Sequence, residues 1–376
     1  MTAMPRIAPI DIARGLAVIA MIFSHAADAF LADRWKAGSI WEGLSVFFGF
    51  IAPAFLFLSG LALALAIERR GEPGTEPRRS LSSRMIRLIL LGYWLQIPVW
   101  SLTRLLRQDD PGSMTRLFDV NILQIIGVSG LIALLAVRLS GGLAGAGRLL
   151  GLLAATIVIA TPLVWALSPG DHLPVPFRSW LVPQPWSTFP FFPFVAYPLA
   201  GFLLSTRIRR WCLHLRGGIA MIVTGVIVAA GARLVDVMIV FPDPWNDLWG
   251  SSPLHILFRL GGVMVIIGAG SLVVRIPCGV PAALIDIGRA SLAMYILHLT
   301  LIYGSPATMG GRYWFDGALN RTLGPIETTV AAMVAIALSY LAIWTWRDVV
   351  ERRPLWRDRI RTIAWTGFWG VFLLNH

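Results

Sequence analysis

The chain of 376 residues is 56% hydrophobic and only 14% charged, with a mean hydropathy of +0.71. Soluble domains carry about a quarter charged residues, so this composition excludes a soluble globular protein and implies a polytopic membrane protein. The net charge of +12 would otherwise invite nucleic acid. The arginines, however, sit in short loops between apolar runs, where they orient spans in a bilayer, and no nucleic-acid partner is expected.

In chain order the apolar runs predict ten spans: Ile10–Phe30, Leu44–Ile67, Met85–Leu106, Val120–Val137, Leu149–Leu167, Phe189–Ser205, Gly218–Val240, Pro253–Val274, Pro281–Gly304 and Ile326–Trp346. The expected fold is all-α, a transmembrane helix bundle forming a single integral membrane domain over residues 1–376. Asp11 and Arg14 interrupt the first run and no small-residue cleavage pattern follows, so the first helix is expected to remain in place. Every even-numbered loop is the more basic one. Examples are Arg69, Arg70, Arg78, Arg79, Arg84 and Arg87 after span two, and Arg207, Arg209, Arg210 and Arg216 after span six. The positive-inside rule then places both termini in the cytoplasm.

Span one carries Arg14 and His25, eleven residues apart. At about 100° per residue that spacing returns to within roughly 20° of one face, about 16 Å further along the axis. Ionisable groups inside a span are costly and point to function. Asp28 follows His25 at i+3, close enough to orient the imidazole or raise its pKa, and an unperturbed histidine, titrating near neutrality, suits a general base. Span three opens with Arg84-Met-Ile-Arg87, two guanidinium groups on one face; these suit phosphate, although positive-inside anchoring explains them equally well. Gln96 and Gln124 are buried amides expected to bridge helices.

Ser168 to Tyr197 is rich in proline and aromatic residues and is expected to be largely non-helical, as an interfacial belt or as a cap over an outer cavity. In span nine Ser291, Tyr295 and His298 fall at i, i+4 and i+7, one polar stripe that brings a second histidine to about the depth of His25. The tail from Ile363 to Leu374 is apolar but short, an interfacial segment or a partial extra helix. Cys212 and Cys278 have no metal-ligand spacing, and no disulfide, metal site, Walker loop or dinucleotide fingerprint is expected.

Three groups of residues carry a family resemblance. Ile10-Asp11-Ile-Ala-Arg14-Gly15 followed by His25, with Arg84-x-x-Arg87, resembles the membrane acyltransferase-3 branch of the transmembrane acyltransferase superfamily. Gly49-Phe-Ile-Ala-Pro53-Ala-Phe-Leu-Phe-Leu-Ser59-Gly60, Asn121-Ile-Leu-Gln124-Ile-Ile-Gly127 and Ser291-Leu-Ala-Met-Tyr295-Ile-Leu-His298 look more like the heparan-alpha-glucosaminide N-acetyltransferase branch.

The resemblance implies transfer of an acyl group, with a bias to acetyl, from cytoplasmic acyl-CoA to a hydroxyl or amine of an extracytoplasmic glycan or related acceptor. Acyl-CoA would be a donor substrate, with no cofactor permanently bound. His25 would be the catalytic base, assisted by Asp28 and His298. Arg84 and Arg87 would hold the nucleotide phosphates, and Arg14 would line the path of the pantetheine arm. Ser291, Tyr295 and Gln124 are candidates for positioning the acceptor or the carbonyl. The expected location is the bacterial inner membrane, as a multi-pass protein in contact with lipid, and homo-oligomers are left open. Two other functions compete: a secondary transporter using Arg14, His25 and His298 as a proton or substrate relay, and a non-catalytic membrane scaffold.

Overall fold

The computed structural model describes residues 7–69, 79–97, 101, 103, 107, 113–167, 173–183, 187–245, 250–304, 319–350, 352, 353, 356, 359, 360, 362, 363 and 366. Its helices are α1 (Ala8–Phe30), α2 (Ser39–Phe48), α3 (Ile51–Arg69), α4 (Arg79–Leu95), α5 (Ser113–Phe118), α6 (Ile122–Leu139) and α7 (Leu143–Ala166). They continue with α8 (Val175–Leu181), α9 (Ala196–Cys212), α10 (Leu215–Met238), α11 (Pro253–Val273), α12 (Val280–Arg289), α13 (Ser291–Tyr303) and α14 (Pro325–Thr345). Among the described residues the fold is all-helical, apart from one isolated bridge between Leu31 and Leu323.

Among the described residues eight helical stretches are long and apolar enough to cross a membrane, and α12 with α13 would make a ninth if the pair is one span. The protein is therefore a multi-pass membrane protein. Three expectations are refined. Span two begins earlier, because Ser39–Phe48 and Ile51–Arg69 join across a two-residue turn into one stretch of 31 residues. Span nine is not one helix: Ala290 (φ −94°, ψ 16°) leaves helical geometry between Arg289 and Ser291. The proline-rich segment holds a helix, α8, because Pro176 sits in its first turn, where no intrahelical N–H donor is required. Part of that segment, residues 98–100, 102 and 104–106 of span three and most of the C-terminal tail lie outside the described residues.

Two compact units are distinguished. The first comprises Met1–Ala17, Gly49–Tyr93 and Phe118–Gly288; the second comprises Val18–Phe48, Trp94–Leu117 and Arg289–His376.

In the first unit, Ala13, Ala54, Phe57, Leu58, Leu61, Val263 and Ile267 form a buried core. Small residues allow its backbones to meet. A Cβ added at Gly60 would lie 1.8 Å from the Pro198 carbonyl oxygen, and one at Gly201 would lie 2.0 Å from that of Phe57. α3 and α9 thus cross with glycine against backbone on both sides, the packing expected where lipid supplies no hydrophobic drive between helices. Glu68 and Arg209 close the same helix pair with a 3.0 Å ion pair. Glycine also brings α1 against α12, since a Cβ at Gly288 would meet the Asp11 carbonyl oxygen at 1.9 Å.

In the second unit, the end of α1 is fixed by donors from elsewhere. A helix leaves its last four carbonyls without intrahelical partners. Here Ala27 receives Leu31 N–H (3.3 Å), Ala29 receives Arg321 N–H (3.0 Å) and Phe30 receives Leu323 N–H (2.9 Å). Lys36 Nζ donates to the Asp28 carbonyl at 3.0 Å. All four carbonyls are satisfied, which holds the turn carrying His25 and Asp28 in place.

Candidate functional site

The candidate site is built from α1 and α13 within the second unit. His25 Nδ1 lies 3.0 Å from the Tyr303 hydroxyl. The same hydroxyl lies 3.2 Å from Asp28 Oδ2 and 3.4 Å from the His25 carbonyl oxygen. One hydroxyl has one proton to give, and a carboxylate is the strongest acceptor of the three. Tyr303 therefore donates to Asp28 and accepts from His25 Nδ1–H. That tautomer leaves the lone pair on His25 Nε2.

His298 is fully buried, and its Nδ1 lies 2.8 Å from the Met294 carbonyl oxygen. A carbonyl can only accept, so His298 Nδ1 carries a proton, and in the neutral ring its Nε2 carries the lone pair. That Nε2 is buried and has no hydrogen-bond partner among the described residues. The two imidazole rings lie 5.2 Å apart between centroids, tilted by 41°. Tyr295 packs edge-on against His298 at 5.8 Å. The arrangement sets two imidazoles side by side, each offering a basic Nε2 when neutral, one of them oriented by a hydroxyl–carboxylate chain. It can accept a proton from a hydroxyl or an amine.

The structure thus brings together His25, Asp28, His298 and Tyr295. Ser291 is on the same helix at its first turn, giving the stripe that the spacing predicts. Asp28 acts on His25 through Tyr303, a residue that sequence reasoning misses. Tyr303 is five positions beyond His298 and about 140° round the helix from it, so no polar stripe includes it.

The remaining candidates lie in the first unit. Arg14 is held by Asp11, one turn earlier, at 3.7 Å. This i,i+3 pairing is written in the sequence, though the Arg14–His25 spacing draws attention away from it. Arg84 and Arg87 are both exposed on α4, and Arg87 Nε donates to the Ser83 carbonyl at 3.3 Å. Gln124 is fully buried and closes the start of α6: its Oε1 accepts from Asn121 N at 2.7 Å, while Asn121 Oδ1 accepts from Leu123 N at 2.9 Å. Asn121 Nδ2 also donates to the Gly92 carbonyl at 3.0 Å, joining α6 to α4. The Gln124 amide is thereby used as a helix cap. Among the described residues no cluster of His, Cys, Asp or Glu could hold a metal ion.

A comparison with curated proteins finds no match. A family model described as an acyltransferase domain matches residues 7–344, nearly the whole chain. Matched over this length, this membrane-embedded helical chain belongs to the membrane acyltransferase-3 family.

Proposed function

We propose that the protein transfers an acetyl or similar short acyl group from cytoplasmic acyl-CoA to a hydroxyl or amine of an extracytoplasmic glycan or related acceptor. The observation that carries this reading is the hydrogen-bond chain from Asp28 through Tyr303 to His25, found in a chain of an acyltransferase family. The loop charges favour a bacterial inner-membrane protein with its N-terminus inside, with Arg14 towards the donor side and His25 towards the acceptor side.

In the reaction, His25 Nε2 removes the acceptor proton as the acceptor oxygen or nitrogen attacks the thioester carbonyl carbon. The carbonyl π electrons move onto oxygen, then return as the carbon–sulfur bond breaks. The thiolate leaves and takes the proton from the His25 imidazolium, giving the acylated acceptor and free CoA. While His25 carries the proton, the Asp28 carboxylate steadies the ring's positive charge through the Tyr303 hydroxyl, as the third member of a catalytic triad does. For an amine acceptor, which carries a second N–H, the His298 Nε2 lone pair can accept that hydrogen bond and hold the nitrogen against His25. Arg84 and Arg87 would grip the CoA phosphates as guanidinium forks.

The test uses full-length protein in membranes supplied with radiolabelled acetyl-CoA and cell-envelope glycan. Wild type should label the glycan and release CoA, whereas His25→Ala should keep acetyl-CoA binding and lose labelling. Labelling that survives His25→Ala, or a wild type that binds no acetyl-CoA, would overturn the reading.

A further inference from the structure

Two cations stand beside the chain that joins Asp28, Tyr303 and His25. Lys36 Nζ donates to the Asp28 carbonyl oxygen at 3.0 Å and lies 3.8 Å from Asp33 Oδ1. Arg321, in the loop that leads into α14, brings its Nη1 to the same Asp33 oxygen, also at 3.8 Å. One carboxylate oxygen therefore serves two cations, and both separations exceed the roughly 3.2 Å reach of an N–H···O hydrogen bond. The Asp28 carboxylate is engaged by the Tyr303 hydroxyl at 3.2 Å. An ammonium has three protons to give, and among the described residues Lys36 spends only one on a protein acceptor.

These are not ordinary surface charges. Lys36 is the only lysine of the chain, and its side chain is only 15% exposed, so the ammonium is held against the protein. Arg321 has a positive φ (52°), which no other non-glycine residue has among the described residues. The bond from its N–H to the Ala29 carbonyl fixes it there. Glycine or asparagine takes that conformation at less cost, and strain kept at such a position points to a use for the side chain. On the topology proposed above, both loops face the acceptor side, where the positive-inside bias works against lysine and arginine.

A guanidinium fork and an ammonium together suit one oxyanion, a carboxylate or a phosphate. Asp33, 68% exposed on the short turn Asp33–Trp35, is the protein's own anion at this place, and at 3.8 Å from either cation it is loosely held. We propose that Lys36 and Arg321 form an anion subsite beside the base, selecting acceptors with a carboxylate or phosphate close to the hydroxyl or amine to be acylated. The inference rests on the acyl-transfer reading for the fate of the acceptor, while binding at the subsite needs no acyl donor.

The test uses full-length protein in phosphatidylcholine nanodiscs without acyl donor. Glucose, glucuronate and glucose 6-phosphate share one ring and differ at the sixth carbon, and saturation-transfer NMR titrations compare their affinities. Wild type should bind glucuronate or glucose 6-phosphate at least about tenfold more tightly than glucose. The first result assigns a carboxylate and the second a phosphate. Lys36→Gln and Arg321→Asn, the latter suited to the left-handed backbone, should each remove most of that preference and leave glucose binding unchanged. Arg34→Gln, in the same loop but outside the cluster, should keep it. Asp33→Asn removes the competing anion from an exposed turn and should tighten anion binding by about fivefold, so the test holds if Lys36→Gln fails to fold. Three outcomes would overturn the proposal: a wild type without the preference, a preference that survives in Lys36→Gln and Arg321→Asn, or an equal loss in Arg34→Gln. Anion preference without acetyl transfer would overturn only the acyl-transfer reading, and transfer without anion preference only the subsite.

Discussion

His25 and Tyr303, 278 positions apart in the chain, share a hydrogen bond of 3.0 Å, and through it the imidazole is coupled to Asp28 on its own helix. Removing the hydroxyl breaks both halves of the chain at once while leaving the ring in place. Tyr303→Phe should therefore lower kcat by about tenfold to a hundredfold, the range expected for one charge-assisted hydrogen bond of ~1.5–3 kcal/mol. KM for acyl-CoA should change little, because the hydroxyl contacts the base and not the donor. Steady-state kinetics in nanodiscs decide this: an unchanged kcat would remove Tyr303 from the mechanism.

The second histidine permits a sharper test. A general base contributes about 10²- to 10⁴-fold, so His25→Ala should cost that much in kcat. His298→Ala should cost less, since it removes a neighbour 5.2 Å away and leaves the oriented base intact. If the two rings hold one acceptor together, the double variant should be no slower than His25→Ala alone. Additive losses in single-turnover rates would instead mean that the histidines act independently.

Much of this arrangement is legible in the sequence. Apolar runs and basic loops announce the spans, and the helical period places Arg14 with His25 and Ser291 with Tyr295 and His298 on single helices. Other features are hidden for physical reasons. Tyr303 lies off the polar stripe and meets a partner nearly the whole chain away. The break at Ala290 is invisible because hydropathy averages across it. Gln124 is different: Asn121-x-x-Gln124 is a capping-box spacing, and the local pattern outweighs the helix-bridging role that burial alone implies.

Arg84 and Arg87 are exposed on α4, and their guanidinium groups have the fork geometry that phosphate recognition needs. If they hold the donor, Arg84→Gln and Arg87→Gln should each raise KM for acyl-CoA by about tenfold with kcat nearly unchanged, the signature of uniform binding. The effect should shrink at high salt, because exposed charges are screened over about 8–10 Å near physiological ionic strength. Acyl-pantetheine, which lacks the nucleotide phosphates, should be insensitive to both substitutions. Equal losses with acyl-CoA and acyl-pantetheine would show that the arginines serve the fold.

The crossing of α3 and α9 makes a prediction about stability that is independent of any activity. A methyl group at Gly201 would stand 2.0 Å from the Phe57 carbonyl oxygen, a backbone atom that cannot rotate away. Gly201→Ala should therefore destabilise the protein by about 2–3 kcal/mol, the upper part of the range for overpacking, and lower Tm in detergent. Gly43, on exposed α2, has nothing within 4 Å of the position a methyl group would take. Gly43→Ala has no such clash, and the gain in helix propensity should leave stability unchanged or raise it by up to about 1 kcal/mol. The comparison separates the two roles of glycine, since both substitutions add the same atom and only one forces two backbones apart. Equal melting temperatures for the two variants would mean that α3 and α9 do not cross at this glycine contact.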